Sequence, residues 1–535
     1  MMVLAVIPVC EGSESLPNKN LRVINGKPMI YYAINNALKS KYITDTIVTT
    51  NSDEIITIAK QMGAMVKKRA SNLSSPQVSV DEVVYDVRDV IDFSKYDYVV
   101  TMQPISPLLK VETLDSALKR CIENDLDTMI SVTNSAQFYW KKESDEHYAP
   151  LIQKRMNKHQ LPPFYKEAGA FFIAKSSCVK ADSRIGQKLE LYELDSDESL
   201  DVFTFGDLKQ ADNILSRKSV SFYVNGNNKR GLGHIYRVLQ IADEFFTKPI
   251  IYYDVSQTQL KFFGQTKHQI IGVDGVDGLI NSLKQNGCDI LINDILSTDE
   301  EYMNKLKKAL PELKIVNFED EGSGAKYADI VFNALYDESM DTNVRSGSDY
   351  YVVPKLFLLC DPIEIKEKVE TVLITFGGAD PMNYTDAVLE IINNEKYKEI
   401  NFVFIIGRAK KNFAELLQKS RDNIKILYDI TNMPEVMIKC DIAFSARGRT
   451  GYELAVLGIP TISIAQNERE ERHNFMSEKN GYIYIGYNPD RSIIEQTIDK
   501  LIFSTKNERK CMQQKMLSRD LRSGRKHIMN IIDNL

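Results

Sequence analysis

The sequence predicts an α/β fold built from Rossmann-like units, one at the N-terminal end and a pair behind it. Apolar runs of strand length alternate with helix-length segments along all 535 residues, the pattern of sheets covered by helices. Polar, glycine-bearing loops come after several of those runs, where a strand opens into a helix and free backbone N–H groups can meet an anion. A chain of this length also exceeds what one hydrophobic core sustains, so two or three domains of roughly 100–250 residues are expected.

The first unit is expected over 1–218. Residues 2–7 (MVLAVI) read as a buried strand ended by Pro8, and the polar loop behind it as a binding loop. Ile30, Ala33, Ile34, Ala37 and Leu38 fall at helical spacing, so a helix lays one apolar stripe against that strand. Strands come next at 45–50, 98–103, 128–132 and 170–174. A second cycle opens at 219–225 (SVSFYVN), succeeded by a helix with Ile235, Leu239 and Ala242 on one side. Strands at 249–254, 289–294 and 314–318 complete a half expected over 219–365. A third cycle opens at 371–376 (TVLITF) and runs through strands at 401–406, 441–445 and 460–464, giving a last half over 366–535. The charged stretch 361–370 reads as the linker between the two halves.

Composition narrows the function. The net charge is −6, and no stretch concentrates lysine and arginine with interleaved aromatics, so no nucleic-acid partner is expected. The first apolar run lacks a basic flank and is too short for a signal or a span, and no later run reaches about 18 apolar residues. No membrane association is therefore expected, and the expected location is the cytoplasm. Seven scattered cysteines never fall in CxxC spacing, which argues against a disulfide framework or a thiolate zinc site. Most are expected to be buried as small hydrophobic residues.

By spacing alone the loop PVCEGSESLPNKN (8–20) is a weak signal. The order of later segments adds weight: NSDE (51–54), KRASNLSS (68–75), MQPISPL (102–108), KEAGAFFI (166–173) and ESLDVFTFGDLKQAD (198–212). Over about residues 1–215 this series resembles the cytidylyltransferases that activate sialic acid and related nonulosonates. The resemblance implies a GT-A-like domain with a nucleotide site at Gly12, Ser13, Lys19, Asn20, Arg69, Gln103 and Ser106. It also implies CTP and a nonulosonic acid as partners, Mg²⁺ as cofactor if the unit is active, and self-association through this domain. The chain departs from the family's ARxGSKGLPxKN pattern, with Cys10 at the arginine, Glu14 at the lysine and Ser15 at a glycine. A carboxylate repels a triphosphate, and each lost cation removes a charge-assisted hydrogen bond. Of the family's DxD metal pair Asp201 remains as the candidate ligand, while Phe203 stands at the second position. Ala168 stands where the pattern commonly has asparagine. Three readings stay open: a cytidylyltransferase with shifted ligands among Lys19, Arg22, Arg69, Asp201 and Asp207, a binding or scaffold domain that has lost the transfer chemistry, or a related transfer with another nucleotide.

RGLGHIYR (230–237) puts His234 at the start of a helix directly after a Gly-x-Gly turn, with Arg237 one turn on. A helix N-terminus favours an anion or a developing negative charge. Further on come NFEDE (317–321), FNA (332–334), FGGADPMN (376–383), FSARGRTGYELAVLGIPTI (444–462) and IAQNEREERHN (464–474). Over 219–535 the chain resembles the UDP-2,4-diacetamido-2,4,6-trideoxy-β-L-altropyranose hydrolases of pseudaminic-acid synthesis and their spore-coat polysaccharide relatives. The resemblance implies a GT-B fold, a UDP-sugar substrate and no required cofactor, with His234 as the catalytic histidine that activates or orients water. Candidate substrate ligands are Gly231, Gly233, Arg237, Asn293, Asp294, Gly377, Gly378, Arg447, Gly448, Thr450, Glu453, Gln466 and Asn467, with Arg230 as a further phosphate contact. Leu454, Ala455, Leu457 and Ile459 read as core. Cys360 stands where these hydrolases commonly carry an arginine. A GT-B glycosyltransferase that passes the sugar to an acceptor, and a nucleotide-sugar-binding or assembly protein without turnover, remain as alternatives.

Overall fold

In the strand Val3–Pro8, Val3, Ala5 and Ile7 point to one face and Leu4 and Val6 to the other, because side chains alternate along an extended chain. Both faces are apolar, so the strand is covered on both sides. One face packs on Ile30, Ile34 and Ala37 of the helix Ile30–Lys39 and on Leu114 and Leu118 of the helix Val111–Glu123. The other packs on Val84, Val87, Phe93 and Val179. The computed structural model describes residues 1–10, 16–75, 77–145, 147–226, 232–336, 341–430 and 432–535. The chain divides into two units, Met1–Arg217 and Lys218–Leu535.

In the first unit seven strands lie in the order Met65–Lys68, Asp45–Thr50, Val3–Pro8, Tyr98–Thr101, Tyr165–Lys175, Thr128–Asn134, Leu189–Glu193. Tyr165–Lys175 runs antiparallel to both neighbours, and the other pairs are parallel. Its register with Thr128–Asn134 shifts between Glu167 and Phe172. That bulge turns the Gly169 N–H away from the ladder and toward Asp201.

The second unit contains two all-parallel sheets. The first has the order Gln269–Val273, Ile250–Asp254, Val220–Val224, Ile290–Asp294, Lys314–Phe318, Ile330–Asn333, Val344–Ser346. The second has the order Ile424–Tyr428, Asn401–Ile406, Thr371–Thr375, Ile442–Ala446, Thr461–Ala465, Tyr482–Tyr487. In each, the chain winds outward from its first strand, then returns to that strand's other side and winds the opposite way, the Rossmann order. The crevice of such a sheet lies beyond the carboxyl ends of the two strands at the reversal. Those ends are Val224 and Asp294 in one half, Thr375 and Ala446 in the other.

The halves are not cleanly successive in sequence. Ile528 and Ile532 of the helix Gly524–Asp533 sit in the core of the first half beside Phe222, Ile235 and Phe332. Gly524 is required at the contact, since a methyl group there would lie 2.1 Å from the Tyr351 carbonyl oxygen. The stretch 361–370 has no regular secondary structure, but Ile365 and Val369 are buried, and Ile363 N–H donates to Leu457 O over 2.8 Å. Leu454, Ala455, Leu457 and Ile459 are core. The cysteines depart from expectation: none is in a disulfide, but only Cys121 and Cys440 are buried, and Cys511 is exposed. Among the described residues no helix is long and apolar enough to cross a membrane.

Candidate active sites

In the second unit the helix Gly233–Ala242 buries His234, Arg237, Val238 and Ile241 against the first sheet. Parity decides which strand residue they meet. Ile290 and Ile292 face this helix, Leu291 the opposite layer, so Asp294 is delivered to His234 and Asn293 is turned away. The Asp294 carboxylate lies 2.5 Å from His234 Nδ1. Arg237 clamps the same carboxylate through Nε and Nη2, both at 2.7 Å, and donates from Nη1 to Glu319 over 2.9 Å. Asp294 and Glu319 are essentially without solvent exposure, so each charge needs its partner.

This arrangement fixes the state of the histidine. A carboxylate only accepts, so the proton sits on Nδ1 and Nε2 keeps its lone pair. Nε2 makes no hydrogen bond among the described residues. Burial lowers the His234 pKa; Asp294 opposes that shift, and the charges of Arg449 and Arg237 reinforce it. Burial works against ionisation of Asp294, but Arg237 and His234 outweigh it and hold the carboxyl below the ordinary range. The result is a neutral imidazole beside an ionised carboxylate, the configuration of a general base.

Arg449, just ahead of the helix Thr450–Leu457, reaches the same place from the second half. A methyl group on Gly233 would lie 2.6 Å from Arg449 Nη1, so this glycine makes room for a side chain. Glu453, one turn into the helix, has its carboxyl pushed up to about 7 by burial, with Arg449 opposing. At the reversal point of the second sheet three glycines have open space where a β-carbon would be: Gly377, with φ +75°, Gly378 and Gly448. A diphosphate can approach the backbone closely there, while the Gly448 N–H itself donates to Ala446 O at 2.9 Å. Gln466 is tied to that loop by donating to Phe376 O over 2.9 Å.

Several expected ligands are used otherwise. Asn293 is buried on the other face of the sheet, donating to Asn317 at 2.9 Å and accepting from Tyr302 at 2.7 Å. Arg237 is committed to two carboxylates, so it positions rather than binds phosphate. Arg447 is buried with its guanidinium 3.6 Å from the Tyr484 ring centroid, and its Nε donates to His473 O. Asn467 caps the short helix Glu468–Glu471, accepting from Glu470 N–H at 2.9 Å. Arg230 and Gly231 lie outside the described residues. Two residues that the sequence pattern does not single out complete the cluster: Arg449, two positions past the expected Arg447, and Glu319, visible only as part of NFEDE.

In the first unit, the reversal point between Val3–Pro8 and Tyr98–Thr101 opens into a cavity of about 290 Å³. Lys19, Asn20, Arg69 and Gln103 converge there with Cys10. Asn20 donates to Cys10 O at 3.2 Å, and Arg69 donates to Thr49 O at 2.7 Å. Burial lowers the Lys19 pKa, and the charge of Asp201 opposes that. Gly12, Ser13 and Glu14 lie outside the described residues. Arg22 points elsewhere, donating to Pro17 O and stacking 4.8 Å from the Phe205 centroid.

The metal position implied by the resemblance does not fit Mg²⁺. Ser106 is the Asp201 carboxylate's partner rather than a lining residue of the cavity: its hydroxyl donates to Asp201 over 2.5 Å, and Gly169 N–H lies 3.1 Å from both oxygens. Phe203 offers no oxygen. Asp207 is spent on a capping box with Thr204, accepting from the N–H groups of Phe203 and Thr204 at 3.0 and 2.8 Å. Among the described residues no three His, Cys, Asp or Glu side chains gather to hold a metal.

These are two α/β sites at sheet reversal points, one with a neutral buried histidine and one with no metal cluster among the described residues. Residues 4–213 match the family model for cytidylyltransferases. Over 505 residues, 89% of this chain and 91% of the relative, it is 24% identical to a Helicobacter pylori protein. That relative is named pseudaminic acid cytidylyltransferase and UDP-2,4-diacetamido-2,4,6-trideoxy-β-L-altropyranose hydrolase. It is 28% identical over 273 residues to an uncharacterized Methanocaldococcus jannaschii protein, covering 46% of this chain and 56% of that protein. Among solved structures, MurG of Acinetobacter baumannii superposes with a TM-score of 0.47 at 12% identity, over 60% of this chain and all of its own.

Proposed function

We propose that the chain is a two-part enzyme of nonulosonate sugar synthesis, in which residues 218–535 hydrolyse a UDP-sugar to UDP and a free 2,4-diacetamido-trideoxy-hexose. The observation that carries this is the neutral His234, its Nδ1 held by Asp294 and its Nε2 left to accept a proton. A water bonded to Nε2 attacks the anomeric carbon. The new C–O bond forms as the bond to the diphosphate oxygen breaks, the water's proton passes to Nε2, and UDP leaves with the bonding pair. The departing charge is met by Arg449 and by the backbone around Gly377, Gly378 and Gly448, with Thr450 at the helix start and Glu453 placed to accept ribose hydroxyls. The 89% span of the Helicobacter pylori relative supports the same pairing of activities.

For residues 1–217 the convergence of Lys19, Asn20, Arg69 and Gln103 supports a nucleotide site for CTP. The exposed aromatics Trp140, Tyr148, Phe164 and Tyr165 support self-association through this unit. The test of the hydrolase is mass-spectrometric product analysis with UDP-2,4-diacetamido sugars, comparing wild type with His234→Ala. Free sugar and UDP without any acceptor are expected from wild type alone. Turnover that requires an acceptor would make the unit a glycosyltransferase instead. For the first unit, CMP-sugar formation is sought with CTP and a panel of nonulosonic acids, and tight CTP binding without product would mark a binding domain.

A further inference from the structure

We infer that the N-terminal unit meets its nucleotide's phosphates with the Lys19 ammonium in place of a divalent metal ion; this rests on reading the unit as a nucleotide site. Lys19 Nζ lies 5.1 Å from the centroid of the Phe203 ring. An aromatic face has no lone pair in the plane of a metal's coordination shell, but its quadrupole attracts an ammonium. The residue that removes one metal carboxylate is therefore the residue that seats a cation.

The remaining carboxylate points to the same exchange. Asp201 is held by the Ser106 hydroxyl at 2.5 Å and by Gly169 N–H at 3.1 Å to both oxygens, one donor from the loop after Tyr98–Thr101 and the other from the bulge within Tyr165–Lys175. Its negative charge is felt directly by Lys19. A divalent ion placed on Asp201 would add a like charge to the surroundings of that ammonium, and like charges in a half-buried site repel. Asp207, the next acidic side chain along, is bound into its capping box. Lys19 also lines the cavity together with Arg69, so two monovalent cations face the space a phosphate chain would fill. A lysine supplies a compact point charge there, without the octahedral oxygen shell that Mg²⁺ demands.

The inference is tested by calorimetric titration of the full chain with CTP, after its second unit has been saturated with UDP, in EDTA and in excess Mg²⁺. Wild type should bind CTP with the same affinity in both buffers, within about twofold, and Lys19→Met should weaken binding by about tenfold or more. Phe203→Asp supplies the missing carboxylate and should make Mg²⁺ tighten CTP by about tenfold. Unchanged UDP binding and far-UV circular dichroism show that each variant folds. Wild-type binding that requires Mg²⁺ overturns the inference and leaves the nucleotide reading intact. Binding that survives Lys19→Met unchanged overturns the role of the ammonium, and absence of CTP binding in both buffers overturns inference and nucleotide reading together.

Discussion

The two sites of the chain keep their charges in opposite ways. Around His234 the buried groups form one connected chain: the neutral imidazole to Asp294, Asp294 to Arg237, Arg237 to Glu319. Around Lys19 the matching is looser, with an ammonium over a benzene ring, a carboxylate satisfied by a hydroxyl and a backbone N–H, and an arginine donating to a carbonyl oxygen. Both sites lie at the reversal point of a sheet, so the fold supplies the same location twice. What separates them is how much each loses if one side chain changes. A connected chain of buried groups fails as a whole, whereas a site assembled from separate local contacts accommodates replacements, and Cys10 and Phe203 are replacements of that kind.

The largest effect is expected from His234→Ala, which should lower kcat for UDP-sugar hydrolysis by on the order of 10³-fold. UDP affinity, measured by calorimetry, should be nearly unchanged. Asp294→Asn should cost on the order of 10²-fold or more by releasing the histidine tautomer. Its pH profile adds a sign. Hydrolysis by wild type should hold at neutral pH and fall only in acid, because the His234 pKa is lowered; Asp294 raises that pKa, so the asparagine variant should carry its acid limb to still lower pH.

Arg237→Met leaves two buried carboxylates unpaired and should destabilise the second unit by about 3–5 kcal/mol in urea unfolding. Glu453→Gln should weaken UDP binding several-fold and change the pH dependence of stability. Because the Glu453 carboxyl is pushed up to about 7, its contribution is fully present below the ordinary glutamate range and is lost as pH rises through about 7. The variant should therefore gain in melting temperature over wild type at pH 8 and not at pH 5. The smallest effect is expected from Arg472→Ala, which removes a pair with Glu321 at 3.1 Å whose arginine is well exposed; unfolding should shift by no more than about 1 kcal/mol.

Sequence was most legible where a strand is buried on both faces. Val3–Pro8, Asp45–Thr50, Ile290–Asp294 and Thr371–Thr375 are continuous apolar runs that few other structures could bury. The strands it did not give are mostly at sheet edges: Met65–Lys68, Leu189–Glu193, Gln269–Val273, Val344–Ser346, Ile424–Tyr428 and Tyr482–Tyr487. There one side meets solvent and the apolar signal is diluted. The same divide runs through the sites. His234 was readable because a Gly-x-Gly turn and a helix start are local features. Asn293 and Asp294 were indistinguishable as neighbours, and only the parity of Ile290, Leu291 and Ile292 sends one to the histidine. Arg449 was not readable, since its meeting with Gly233 depends on how two sheets pack.

The helix Gly524–Asp533 has a consequence for how the protein is made. Ile528 and Ile532 fill the core around Phe222 and Ile235, and Arg525 donates to Val353 O at 2.6 Å and to Gln240 O at 3.3 Å. During translation the sheet that begins at Val220 must wait, partly uncovered, until these residues have emerged from the ribosome. A nascent chain stalled anywhere between Glu370 and Gly524 would leave that apolar face without the cover that Ile528 and Ile532 supply.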